Sequence, residues 1–175
     1  METTGDSQVT PTSVGLRYGL LTGLICIIIS FGLNAMHMEA SPLRYLTYAV
    51  IIGGIVLAQR EFKLCSAGFM GYGQGLGIGT LLSGVVGLLS AVFAYVYINF
   101  VDPDIITRGL EKARADMEAR GTMSDAQIEQ GLAWGAKFSN GPFLFVLIII
   151  LTLLFGLVVS LITAAILKNA KPEFE

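Results

Sequence analysis

Charged residues are absent from four long blocks of this 175-residue chain. The blocks lie between Arg17 and Glu39, Arg44 and Arg60, Lys63 and Asp102, and Lys137 and Lys168. A helix that crosses the ~30 Å hydrocarbon core of a bilayer needs about 20 mostly apolar residues. Only 14% of the residues are charged, which is too few to cover the surface of a water-soluble bundle. The pattern predicts an all-α integral membrane protein with four spanning helices.

The blocks set the predicted spans, which cover about residues 14–36, 42–59, 76–101 and 142–167. We predict one membrane domain over 14–168, between a disordered N-terminal tail (1–13) and a C-terminal tail (169–175). The second span is short, begins with Ser41 as N-cap and Pro42 at the first helical position, and ends in a tight charged turn at 60–63. The third block would reach about 57 Å as one helix. Residues 64–75 are therefore interfacial, re-entrant or part of the third helix, and the sequence leaves these alternatives open.

A polar segment, 102–140, separates the third and fourth spans. Asp102 and Pro103 are typical of a helix start, with Asp102 as N-cap and Pro103 at the first helical position. Gly121 is the expected end of this helix, and Ser124 with Gln127 predicts a capping box for a second helix. The fold prediction is thus a membrane four-helix bundle with an extramembrane amphipathic helical hairpin, which either lies on the membrane or caps the bundle.

Small residues recur at every fourth position in the last span, at Gly156, Ser160 and Ala164. They form two further stripes, Gly15, Gly19 and Gly23 in the first block and Gly71, Gly75, Gly79, Ser83 and Gly87 in the third. Such stripes let membrane helices approach closely. We expect the two stripes to pack against each other within one chain; the alternative is an interface between subunits. Leucine at Gly79 should then be destabilising, whereas leucine at Val86, on another face, should be tolerated.

The residues required for catalysis or cofactor binding do not form a recognisable pattern. One histidine and two cysteines exclude a structural zinc site, and the glycines near Gly73 lack the strand and the Lys-Ser/Thr of a phosphate loop. Asp102 and Asp104 suit capping better than metal binding. A net charge of −2 does not favour nucleic acid. We predict no enzyme, no catalytic, cofactor-binding or metal-binding residues, and the lipid bilayer as main partner.

Several segments resemble a known bacterial membrane family. They are Met70-Gly71-Tyr72-Gly73-Gln74-Gly75, Asp102-Pro103-Asp104 after an aromatic-rich helix end, the acidic hairpin, and Ala165 to Lys168 at the end of the last span. After Val14 nearly the whole chain resembles the family of unknown function called domain of unknown function 4199, whose members commonly have Asn-Pro-Asp at 102–104. The resemblance implies a small four-helix inner-membrane protein of Gram-negative bacteria, with no established activity. Members are often encoded near membrane-associated glycosyltransferases, which implies an envelope role.

The leading functional hypothesis is a non-enzymatic scaffold, assembly factor or accessory subunit of a bacterial envelope system, with a homo-oligomer or a larger membrane protein as candidate partner. The alternative is a small carrier or oligomeric pore, with its path at the glycine-striped helix. Basic residues close to the membrane ends favour cytoplasmic termini by the positive-inside rule. These residues are Arg17, Arg60, Lys63, Lys168 and Lys171.

Overall fold

The computed structural model describes residues 9–36, 38, 41–139 and 141–169, and these form six α-helices. The helices are α1 (Pro11–Ala35), α2 (Tyr45–Cys65), α3 (Tyr72–Val96), α4 (Ile105–Arg120), α5 (Asp125–Phe138) and α6 (Pro142–Leu167). A 3-10 turn, Pro42–Arg44, leads into α2, and a π-helical turn, Tyr97–Val101, continues α3. Four segments are long and apolar enough to cross a membrane: Pro11–Ala35, Pro42–Cys65, Tyr72–Val101 and Pro142–Leu167. The predicted all-α fold with four spans is confirmed.

The chain divides into two compact units. The first comprises the described residues up to Ser90 and from Ile150 onward, and the second comprises Ala91–Ile149. In the first unit, parts of four spans pack around a buried apolar core. Side chains from α2 and α3 at its centre are fully buried, among them Ile55, Ala58, Ile78 and Leu82. Val86 also belongs to this core, with 1% of its surface exposed. This burial removes the basis of the expectation that leucine at Val86 would be tolerated, which assumed a softly packed or lipid-facing site; the tolerance itself stays a prediction.

The first helix begins earlier than predicted. The Thr10 side chain accepts a hydrogen bond from the Ser13 backbone N–H at 3.2 Å, and Pro11 occupies the first helical turn. Both residues are typical of a helix N-terminus. The predicted disordered tail, 1–13, therefore included the first residues of α1. Residues 1–8 lie outside the described part of the chain.

The second helix ends later than predicted. Ser41 caps the entry as expected, and its side chain accepts from the Leu43 N–H at 3.3 Å. The charged segment 60–63, expected to be a turn, instead forms part of α2, which ends at Cys65. Two of its charged residues have partners in other helices. Glu61 binds Arg17 at 3.3 Å, and the Lys63 ammonium donates to the Leu167 carbonyl at 3.1 Å.

The long third block is divided by a short loop. Its first two residues finish α2, and α3 begins at Tyr72, four residues before the predicted start. Ala67 and Gly68 have positive φ values of 53° and 84° in this loop. Met70 and Asn169 then form an antiparallel β-bridge, in which each backbone N–H donates to the other carbonyl at 2.9 Å. The bridge ties the start of α3 to the end of α6.

The second unit contains the predicted hairpin. Gly121 ends α4 with φ 62°, and the capping box of Ser124 and Gln127 is present at the start of α5, as predicted. Buried Ile128 faces inward from α5. In α5 the buried and half-buried residues fall on one face, as the amphipathic pattern predicted; in α4 most of them do, and half-buried Arg108 lies off that face.

The start of α4 differs from the prediction that Asp102 is the N-cap and Pro103 the first helical residue. The backbone N–H of Asp102 donates to the Tyr97 carbonyl at 2.9 Å and so closes the π-helical turn. The helix then begins at Ile105, with Asp104 at the N-cap position. The Asp102 carboxylate instead pairs with the Arg108 guanidinium, at 3.1 and 2.5 Å. The π-helical turn before Asp102 places the start of α4 at Ile105, and residue helix propensities do not predict such a turn.

Candidate functional site: a buried polar cluster between three helices

The small residues of α3 face small residues of α6. From one facing pair to the next, the position advances by four residues along α3 and goes back by four residues along α6, as expected for antiparallel helices. The pairs are Gly75 with Ala164, Gly79 with Ser160, and Ser83 with Gly156. A Cβ atom added to Gly75 would lie 2.9 Å from the Ala164 Cβ, and one added to Gly79 would lie 2.6 Å from the Ser160 Cβ. These contacts leave no room for a methyl group, so the two backbones are in close contact.

The stripe of α1 packs on a different face of α3. A Cβ added to Gly19 would lie 2.8 Å from the Val85 Cβ, and one added to Gly23 would lie 2.6 Å from the Leu89 Cδ1. Gly15 faces the backbone carbonyl of Ile78. The expectation that the α1 stripe is the partner of the α3 stripe was therefore wrong. The glycines of α1 receive large aliphatic side chains, while α6 covers the small residues of α3.

The two ends of the α3 stripe differ from its middle. Gly71 precedes α3 and is half-buried, and an added Cβ would meet only the Gln74 side chain, 3.5 Å away. Gly87 is buried. The close contact with α6 is thus carried by the segment from Gly75 to Ser83.

Gln59 of α2 completes a polar cluster at this contact. Its side-chain amide N–H donates to the Gly75 carbonyl at 3.0 Å and to the Ser160 hydroxyl at 3.3 Å. The Ser160 hydroxyl lies 3.2 Å from the Gly75 carbonyl and 3.4 Å from that of Leu76. Gln59 and Ser160 are fully buried. Because Gly75 and Gly79 have no side chains, Ser160 can reach the α3 backbone, and one cluster joins α2, α3 and α6.

Two atoms of this region have no hydrogen-bond partner among the described residues: the Gln59 Oε1 and the Ser83 hydroxyl. Leaving a buried polar atom unpaired costs roughly 1–3 kcal/mol. The side chains of the cluster, Gln59 and Ser160, do not ionise in the physiological pH range. They can form hydrogen bonds but are not suited to act as acids or bases.

A comparison with protein-family models identifies the family of the chain. The model described as "Protein of unknown function (DUF4199)" matches residues 17–169, which is most of the sequence. The chain belongs to the DUF4199 family. The resemblance expected from the glycine-rich segment and the hydropathy pattern is thereby confirmed. No curated protein and no solved structure matches the chain.

In this DUF4199 chain, sequence reasoning missed Gln59. It was placed at the end of a short span, next to Arg60, where an amide would lie in the headgroup layer. Because α2 continues for six more residues to Cys65, Gln59 lies within the bundle. The sequence did contain a sign that Gln59 is important: it is an amide inside a charge-free block, which is a rare and costly feature in a membrane helix.

A second feature of this DUF4199 chain is a cleft within the second unit, with a volume of about 80 Å³. Tyr95, Asn99 and Ser139 contribute its polar lining, and Ile106 and Phe145 contribute to its apolar lining. Small-molecule sites usually have volumes of roughly 300–1,000 Å³. The cleft is thus too small for a metabolite or cofactor in this conformation. Within the described residues, no three His, Cys, Asp or Glu side chains are close enough to hold a metal ion; His37 and Glu39 lie outside them.

Proposed function

We propose that this chain is a non-enzymatic structural component of a bacterial envelope system: a scaffold, assembly factor or accessory subunit. The observation that carries the proposal is the closed contact between α3 and α6. The buried polar groups there, Gln59 and Ser160, bond to the backbone of α3, which suits a rigid core that holds helices together. The alternative, a carrier or subunit-lined pore along α3, would need this same face to be open, and residues of α6 occupy it.

Two measurements on the intact protein test this role. The purified protein in proteoliposomes should give no flux of ions or small dyes above that of empty vesicles. Purified from its own membranes in mild detergent, it should migrate with a larger protein in fixed stoichiometry. Flux that is present in the parent would contradict the proposal and support the pore, and it should then be lost in Gly79→Leu protein that stays monodisperse after reconstitution. The matched variant Gly77→Leu controls for the added bulk, since nothing lies within 4 Å of a Cβ at Gly77.

We also propose that the protein resides in the bacterial inner membrane with cytoplasmic termini, on the basis of the basic residues near the span ends. Exposed Cys65 reports on the terminal side without mutation, because Cys26 is buried. In cells with a permeabilised outer membrane, an impermeant maleimide should not label Cys65. In a Cys65→Ala background, Ala126→Cys, at an exposed site in α5, should be labelled. The opposite pattern would reverse the orientation and leave the four spans unchanged.

A further inference from the structure

Three aromatic rings connect α5 to the start of α6. The rings of Trp134 and Phe138 stack with centroids 5.6 Å apart and an angle of 21° between their planes. Phe138 then contacts Phe143, with centroids 4.7 Å apart. Trp134 is 52% exposed and Phe143 is 51% exposed. We call these three residues the aromatic ladder. It is a continuous apolar edge that the described chain leaves largely uncovered.

The position of Phe143 relates the ladder to the membrane. Phe143 is the second residue of α6, which is the most apolar of the four candidate spans. The polar layer on each side of a bilayer is about 5–8 Å thick. The two ring-to-ring steps, of 4.7 and 5.6 Å, place Trp134 at most about 10 Å from Phe143, so the indole lies in this layer or directly beside it when α6 spans the bilayer with Phe143 at the edge of the hydrocarbon core.

The chemistry of the ladder fits the same layer. Tryptophan is enriched at membrane interfaces, where its ring lies among headgroups with its N–H toward water. The Lys137 ammonium lies 5.4 Å from the centroid of the Trp134 ring. A lysine beside an interfacial aromatic ring can extend its charge to lipid phosphates while its methylene groups cover apolar surface. We propose that the aromatic ladder docks on the phospholipid headgroup layer and anchors the C-terminal part of α5 to the bilayer surface.

The chain contains a single tryptophan, so intrinsic fluorescence of the unmodified protein reports on this site alone. In phosphatidylcholine vesicles, Trp134 should emit at a shorter wavelength than indole in water. Phospholipids brominated near the headgroup should quench it more than lipids brominated near the chain ends, and aqueous acrylamide should quench it only weakly. As a depth reference, Leu151→Trp in a Trp134→Phe background places the reporter on an exposed site of the α6 span, and lipids brominated deeper in the chains should quench it more.

Two results would overturn the proposal. Strong acrylamide quenching with no effect of brominated lipid would show that α5 stands in water. Protection from both quenchers would show that protein, such as a second copy of the chain, covers the ladder. Both results are informative in the wild-type protein, so neither depends on a variant that might not fold, and neither bears on the proposed scaffold role.

Discussion

Leucine at Gly79 is expected to lower the melting temperature of the detergent-solubilised protein strongly, whereas leucine at Gly77 should leave it unchanged or raise it. Even the first carbon of a side chain at Gly79 would lie 2.6 Å from the Ser160 Cβ and 3.1 Å from the Ile55 Cγ2. Overpacking of this kind costs roughly 1–3 kcal/mol or more, which corresponds to a loss of about 2–12 °C for a chain of this size.

Gly77 is the matched control because it lies in the same helix, is exposed, and has no atom within 4 Å of an added Cβ. Replacing a helical glycine with leucine also removes a propensity penalty of up to about 1 kcal/mol. The measurement is the fraction of monodisperse protein that remains after heating, followed by size-exclusion chromatography. Equal melting temperatures for the two variants would show that the small-residue face of α3 is not closely packed.

An exchange between Ser83 and Gly156 tests the helix register directly. Gly156→Ser alone should be destabilising, because its Cβ would overlap the Ser83 side chain. Adding Ser83→Gly should recover most of the loss, since the Ser83 hydroxyl has no hydrogen-bond partner within the described part of the chain. If the double variant is no more stable than Gly156→Ser, these residues do not face each other.

Glutamate at Gln59 is expected to be the most damaging conservative substitution in the polar cluster. The site is fully buried, and the described residues that bond to the Gln59 side chain are the carbonyl of Gly75 and the hydroxyl of Ser160, neither of which is a cation. An uncompensated charge in a membrane helix costs roughly 3 kcal/mol, so the melting temperature should fall by about 6–12 °C. Gln59→Leu should cost only about 1 kcal/mol, because Ser160 still reaches the Gly75 carbonyl at 3.2 Å.

Gln74→Glu is the control for this change. Gln74 is exposed at the start of α3, and its side-chain oxygen accepts from the Gly71 N–H at 2.8 Å. A carboxylate accepts the same bond and is favoured at a helix N-terminus, so this variant should match the parent. If Gln59→Glu were tolerated equally well, water would reach the cluster, and the carrier hypothesis would become the stronger one.

Features that depend only on residues close together in the sequence could be predicted from it. The capping box of Ser124 with Gln127 and the left-handed Gly121 need only a few adjacent residues. The four spans followed from the charge-free blocks, because hydrocarbon does not solvate charge. Helix ends were less reliable where a distant residue took part. Near the C-terminus of α2, which lies beyond the predicted one, Lys63 donates to the Leu167 carbonyl at the end of α6, a long-range contact that local sequence rules do not contain.

The sequence by itself determined the all-α membrane class, the number of spans and the existence of small-residue stripes, because hydropathy and residue size are properties of each segment alone. Only the tertiary structure decided which surfaces meet. A stripe of glycines permits close approach but does not identify its partner, and α6 rather than α1 covers Gly79. The role of Gln59 was decided in the same way. Its amide is costly in lipid and becomes favourable only where Gly75 and Ser160 bring hydrogen-bonding groups from two other helices to it.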